Sequence, residues 1–326
     1  MQKRNRFECV TSSDPAAGSR TGPRGVALPK QVPGDPLLRT SILAAAALTA
    51  TFAAAAPALA QQNSAAAAAD VSADFDRDTV TVGVAGVYLP DYEGSDDYRV
   101  VPAPGALGSI NGYAFTLAGN RVSVDLIRNQ PGQTIDLQAG PIAVVNFNRT
   151  SRKQIDDPRI KALGERDTAI ELGGYVGIGK TGVVTSPYDR IAVSLSYRYD
   201  VAGAHKSGIW QPTVTYFTPL SRKAAVGLFA SAEHAEGRYA RYYFGIDQAE
   251  SVASGLAPYN PRGGWKNWSL GALGTYSLTG DLLGGWKAVG GINYRKMLND
   301  YADSPVVSTA GSRSQWLGLL GVAYTF

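Results

Sequence analysis

The chain has almost no cysteine and almost no histidine. Its one thiol, Cys9, lies in an N-terminal leader, and its two imidazoles are His205 and His234. An exported chain without a thiol past residue 9 uses neither disulfides nor a cysteine nucleophile. Two histidines are too few for an ordinary structural zinc site, so no metal and no cofactor are expected. Long apolar runs are also missing beyond residue 60, where no 18 residues pass without a polar interruption; a membrane-spanning helix is not expected there. Nor is there a surplus of positive charge once the leader is set aside. The first 60 residues carry seven Lys/Arg against three Asp/Glu and hold the whole formal +4, leaving 24 of each sign in the remaining 266. The basic balance of the full chain is therefore no sign of a nucleic-acid partner.

What is present begins with that leader. "RTSILAAAALTATFAAAAPALAQQ" (39–62) joins a single Arg39 to a short apolar run and ends on Ala58-Leu59-Ala60 before Gln61. This is the pattern of a secretory signal peptide with cleavage after Ala60. The polar stretch 1–38 before it is either a long n-region or the product of a translation start assigned too far upstream. Residues 61–78 read as a flexible lead-in, and 79–326 as the folded domain.

Within 79–326 the dominant signal is alternation of period two, the mark of strands with one apolar face. Twelve segments show it: 79–88, 111–118, 120–128, 135–147, 168–179, 189–199, 208–217, 224–234, 238–246, 267–278, 286–296 and 314–326. The segment 98–107 is either a further short strand or part of a long loop. Apolar faces often start or end on an aromatic, among them Tyr88, Phe147, Tyr199, Trp210, Trp268, Trp286, Tyr294 and Phe326. A soluble sandwich also alternates. Strands of ten to thirteen residues, glycines inside them and aromatics at their ends instead fit a tilted membrane crossing with interfacial girdles. The expected fold is all-β, a closed antiparallel transmembrane β-barrel of about twelve strands, within a range of ten to fourteen. Closure follows because no open strand edge is stable in hydrocarbon.

The connections divide by length. Short breaks fall at 119–120, 129–134, 180–188, 218–223 and 279–285, expected at the periplasmic end. Longer ones at 89–110, 148–167, 200–207, 247–266 and 297–313 are expected outside the cell. The expected location is the outer membrane of a Gram-negative cell, in contact with its lipid and lipopolysaccharide. Charged residues on the inward parity are Arg121, Asp125, Asp136, Glu171, Arg198, Glu233, Arg241 and Arg295. Signs mingle, so these groups either pair and lock a narrow barrel or line a weakly selective pore. The first long loop is acidic through Asp91, Glu93, Asp96 and Asp97. That suits a divalent cation between lipopolysaccharide phosphates, or an ordinary solvated loop, which costs less.

Five ordered motifs carry a resemblance. "LPDYEGSDDY" (89–98), "YDVAGAHKSG" (199–208), "RYYFGID" (241–247), "SGLAPYNPRGG" (254–264) and "YRKMLNDYADSPVV" (294–307), with the terminal "GVAYTF", resemble the MipA/OmpV family of outer-membrane proteins. The resemblance spans about 79–326. It implies an outer-membrane barrel without enzymatic activity, associated with a lytic transglycosylase and a murein synthase; other relatives are described as porins or adhesion antigens. Candidate functional loop residues on these motifs are Asp91, Tyr92, Gly94, Ser95, His205, Asp303, Ser304 and Pro305. The resemblance also implies that the last strand, through Tyr324 and Phe326, is the signal read by the outer-membrane assembly machinery.

One catalytic pattern has to be weighed. His205 and Ser207 share a parity, as in the His–Ser pair of outer-membrane lipid hydrolases, where histidine is the general base for serine. Gly208 stands where the phospholipase pattern has Asn. A histidine holding a loop against the barrel rim is the simpler reading. The expected function is scaffolding for peptidoglycan-remodelling enzymes, with a narrow pore second and a hydrolase third.

Overall fold

A computed structural model describes residues 78–129 and 133–326. The leader, the cleavage position and nearly all of the lead-in lie outside the described residues. Twelve strands form one closed barrel: β1 (Thr79–Pro90), β2 (Tyr98–Ile110), β3 (Tyr113–Ala118), β4 (Arg121–Val124), β5 (Ile135–Asn146), β6 (Ala169–Thr181), β7 (Arg190–Asp200), β8 (Gly208–Pro219), β9 (Ala224–Ala235), β10 (Gly264–Ser277), β11 (Gly285–Met297) and β12 (Ser314–Thr325). Each strand pairs antiparallel with its sequence neighbours, and β12 returns to β1 in a register running from Thr81↔Thr325 to Tyr88↔Gly318. The Phe326 amide extends that seam by donating to the Val80 carbonyl at 2.9 Å.

The alternation sorts side chains as expected. On β12, Trp316, Leu320, Val322 and Phe326 are exposed, while Gln315, Leu317, Ala323 and Thr325 are buried. Two aromatic clusters mark the two ends of the outer wall at β10–β12. Trp268, Tyr294 and Trp316 touch in succession near one end of β10, β11 and β12. Trp286, Tyr324 and Phe326 do the same at the other end. Trp316 and Tyr324 are eight residues apart on one strand, about 20 Å of membrane depth at ~3.3 Å per residue and ~40° tilt. Such a cluster-to-cluster spacing suits the hydrocarbon layer of an outer membrane.

One expected strand fails and one open segment turns out to be a strand, and the two offset each other. The segment 238–246 is not a strand. It is mostly helix, α2 (Gly237–Phe244), because Tyr239, Ala240, Tyr243 and Phe244 recur at helical spacing and bury one face. The twelfth strand is β2, which covers all of 98–107. Pro102 and Pro104 disguise it, and they have a structural reason to be there. β3 pairs only with Gly105–Ile110 of β2, and Gly119 closes the ladder by donating to the Pro104 carbonyl. Beyond that point β2 has no strand on this side. A proline there presents no unpaired N–H, which is how edge strands are made safe.

The remaining strands are shorter or longer than expected by a few residues, β4 most of all. The turn 119–120 also changes ends: β3 and β4 form a short hairpin whose tip points toward the long connections. Among the described residues the opposite end carries 111–112, 125–129, 133–134, 182–189, 220–223 and 278–284.

Long connections at the first end fold into a cap. Besides α2 it contains α1 (Pro158–Ala162), α3 (Gln248–Ser254), α4 (Asn299–Asp303) and α5 (Pro305–Ser308). Asp157 caps α1 and Asp247 with Glu250 forms a capping box on α3. The largest apolar core of the molecule lies here, where Tyr92, Ile155, Ile160, Tyr239, Phe244, Tyr301 and Val306 are all but inaccessible.

Candidate functional site

Directly beneath the cap, side chains from eight strands and one loop meet in one polar layer across the lumen. Arg198 on β7 reaches Glu171 on β6 and Glu233 on β9, at 2.5 Å each. Its second terminal nitrogen donates to Gln211 Oε1 on β8 at 2.9 Å, and Arg121 on β4 donates to the same oxygen at 3.0 Å. Lys266 on β10 bridges Glu233 at 2.7 Å and Glu93 from the β1–β2 loop at 2.8 Å. Arg295 on β11 lies 3.8 Å from Glu93. Asn146 and Asn267 donate to Glu171 and Glu233. The layer thus sets four cations against three carboxylates, all buried. Removing ions from water is repaid only where each lone pair and proton finds a partner, and Arg198 comes close to that condition with three of its nitrogens engaged.

Lys266 owes its place to a β-bulge. The β9–β10 register shifts between Trp265 and Asn267, so Lys266 and Asn267, though adjacent, are both buried on the lumen side. Bulges redirect side chains in this way, and simple alternation cannot foresee it.

The loop residues join the layer from above. Asp91, Tyr92, Glu93 and Ser95 are buried, so this part of the acidic loop is folded into the barrel mouth, while Asp96 stays exposed and Asp97 half-buried. Gly94 makes this possible: its φ is +104°, and a Cβ there would stand 2.5 Å from Val307 Cγ2. Tyr92 donates to the carbonyls of Val306 and Ala310, and Tyr239 Oη donates to Glu93 at 2.8 Å. Burial, and then the Glu93 carboxylate, push the Tyr239 phenol well above its ordinary value, so it stays a donor. Ser304 caps α5 and donates to the Phe244 carbonyl at 2.7 Å; Pro305 occupies the first turn of that helix. Asp303 is exposed and pairs with Arg313 at 2.8 Å. Deeper in the cap, Arg149 donates to the Tyr243 carbonyl at 2.9 Å. Burial, with Arg166 nearby, lowers its guanidinium to about 9.

The expected lumen residues therefore do not act as one group. Arg121, Glu171, Arg198, Glu233 and Arg295 belong to the layer. Asp136 pairs separately with Arg190, and Asp125 accepts from the backbone of Ile127 and Ala139 below β4. Arg241 is a correction: it lies exposed on α2, because the segment carrying it is helical and has no inward parity. Lys266 escaped notice because it falls in a stretch that reads as loop, and Glu93, expected in an acidic outer loop, instead joins the lumen layer with Gln211.

His205 and Ser207 do not form a catalytic pair. His205 Nε2 faces Glu171 at 3.3 Å and its ring packs on Tyr239 and Tyr243. Ser207 Oγ is 3.5 Å from Glu236 and accepts from the Tyr239 amide at 3.3 Å. Both side chains are buried under the cap, away from any acyl chain in the membrane.

Comparison with known proteins follows the same line. Residues 82–326 match the profile of the family described as MltA-interacting protein MipA. Over 87 residues the chain is 33% identical to the MltA-interacting protein of Escherichia coli (strain K12), a stretch covering 26% of this chain and 31% of that protein. The MltA-interacting protein of Shigella flexneri matches over the same length at 33%. The matched stretch thus spans less than a third of these relatives. Among solved structures, a NanC porin aligns with a TM-score of 0.44 at 12% identity, over 74% of this chain and 98% of that one. An outer membrane channel from Pseudomonas putida F1 aligns with a TM-score of 0.43 at 11% identity, over 79% and 98%. Likeness at this level says nothing about what this barrel binds or conducts.

Proposed function

The chain belongs to the MltA-interacting protein (MipA) family, and from that premise we propose that it anchors and organises peptidoglycan-remodelling enzymes, a lytic transglycosylase and with it a murein synthase, at the inner face of the outer membrane. The observation that carries this reading is the obstructed lumen. Arg198, clamped between Glu171 and Glu233, is joined through Glu233 and Lys266 to Glu93 from the β1–β2 loop, and a packed cap covers the layer. A solute on its way through would have to break buried ion pairs, each costing about 3–5 kcal/mol when one partner is removed. That argues against the pore reading and leaves the outer surfaces as the working parts. The one candidate dyad, His205 with Ser207, is unformed.

The turn end supplies the docking face in this reading. Val184 and Tyr188 in the 182–189 turn and Leu220 in the 220–223 turn are exposed there. We also infer that residues 1–60 are removed on export, so that the protein begins at Gln61; N-terminal sequencing of the membrane-inserted form checks this. The docking test places a photo-crosslinking amino acid at Tyr188 in intact cells. Capture of a lytic transglycosylase is expected. Its capture only from long-loop positions such as Val252, with none from Tyr188, contradicts the proposal.

A further inference from the structure

Below the ionic layer the lumen changes character. The inward side chains of β1, β2, β3, β10 and β12 become small and apolar, and they leave a cavity of about 170 Å³. Val87, Ala103, Leu107, Leu117, Leu273 and Leu319 form much of its wall. The cap and the ionic layer shut it from the long-loop end. Its rim at the turn end is polar, with Thr81 and Thr325 hydrogen-bonded to each other at 2.7 Å. On the rim too, Leu282 from the 278–284 turn folds inward onto Phe217 and Ala225.

One cation lines this cavity. Lys287, 7% exposed, donates to the Leu282 carbonyl and to Thr325 Oγ1. Both acceptors are neutral, and the carboxylate that acts on this ammonium, Asp281 in the 278–284 turn, is not among the ion pairs of the described residues. An ammonium has three protons to donate, so one is left over. A buried cation whose counter-charge stands off at a distance gains from an anion in direct contact.

We propose that the cavity binds a single acyl chain bearing an anionic head, with the chain among the lumen leucines and the head on Lys287 at the turn-end rim. The apolar wall selects the chain, since burying methylenes gains ~0.8 kcal/mol each, and the lone ammonium selects the charge. A free fatty acid and an anionic lysophospholipid share this chemistry.

The test uses the full barrel in phosphatidylcholine nanodiscs and a diazirine-bearing twelve-carbon carboxylate, with cross-links mapped by mass spectrometry. Labelling is expected on inward residues such as Leu107 and Leu319, saturably. Lys287→Met is expected to weaken it about tenfold, Lys287→Arg to retain it, and a neutral diazirine alcohol to ignore both changes. Gly105→Phe is expected to abolish labelling; a Cβ at Gly105 meets only the Leu117 carbonyl oxygen at 3.7 Å, so the ring can enter the cavity. If that variant does not fold, the Lys287 pair decides alone. Displacement by unlabelled laurate assigns a carboxylate head, and displacement by lysophosphatidylglycerol a phosphate head. Labelling confined to outward residues such as Leu320, or indifferent to Lys287 and to both competitors, overturns the proposal.

Discussion

Arg198 on β7 and Glu233 on β9 are joined across the intervening strand by an ion pair of 2.5 Å, with both side chains almost wholly removed from solvent. The same guanidinium holds Glu171 on the other side. This bridge ties β6, β7 and β9 together from inside, past the intervening β8, where backbone ladders tie strands only edge to edge.

Replacing Arg198 with Met should therefore destabilise the barrel by about 3–5 kcal/mol, since it strands buried carboxylates. Arg313→Met, which breaks an exposed pair with Asp303, should cost at most about 1 kcal/mol. Urea unfolding in lipid vesicles measures both.

The seam gives a second expectation. Phe326 extends the β1–β12 ladder through its amide and turns its ring to the lipid beside Tyr324. A charged tail added after Phe326, or loss of Phe326 itself, should lower the fraction assembled in the outer membrane. Heat-modifiable gel mobility reports that fraction, and unchanged assembly counts against Tyr324 and Phe326 as an assembly signal.

Single-tryptophan variants test the two aromatic clusters. Trp316 and Trp286 sit at opposite ends of the barrel wall and both face outward. Each should be quenched more by lipids brominated near the headgroup than by lipids brominated at the chain ends, because indole rings settle at the interface.

Asp189 fixes the 182–189 turn by accepting from the amides of Val183, Val184 and Thr185 and from the Tyr216 hydroxyl. Although burial opposes it, these donors hold the carboxyl below its ordinary value. A depressed folded value contributes stability above the unfolded pKa and loses it as pH falls through the folded one. Asp189→Asn should speed proteolysis of this turn several-fold at pH 8, with wild type and variant converging only well below pH 3.8.

These positions also show how far the sequence could be read. Residues 314–326 disclosed their lipid face because alternation on β12 is unbroken and nothing else competes for its side chains. The same rule found Glu171, Arg198 and Glu233, which sit in regular stretches of strand. It failed at 238–246, where Tyr, Arg and Phe satisfy periods of two and 3.6 alike, and only packing against Tyr301 and His205 selects the helix. It left β2 open between strand and loop because two prolines read as breakers until the free edge they protect is seen. Lys266 was hidden by a bulge, and Glu93 by a loop that folds inward through the positive φ of Gly94. Each failure comes from a contact distant in sequence.

The obstruction of the lumen by the Arg198 layer is the centre of the account, and single-channel recording in planar bilayers tests it most directly. The purified barrel should show no discrete openings, while a variant without the layer, Arg198→Ala with Lys266→Ala and deletion of residues 91–97, should conduct if it inserts. Discrete, reproducible openings of the unaltered protein would contradict a sealed barrel and return the pore reading to first place.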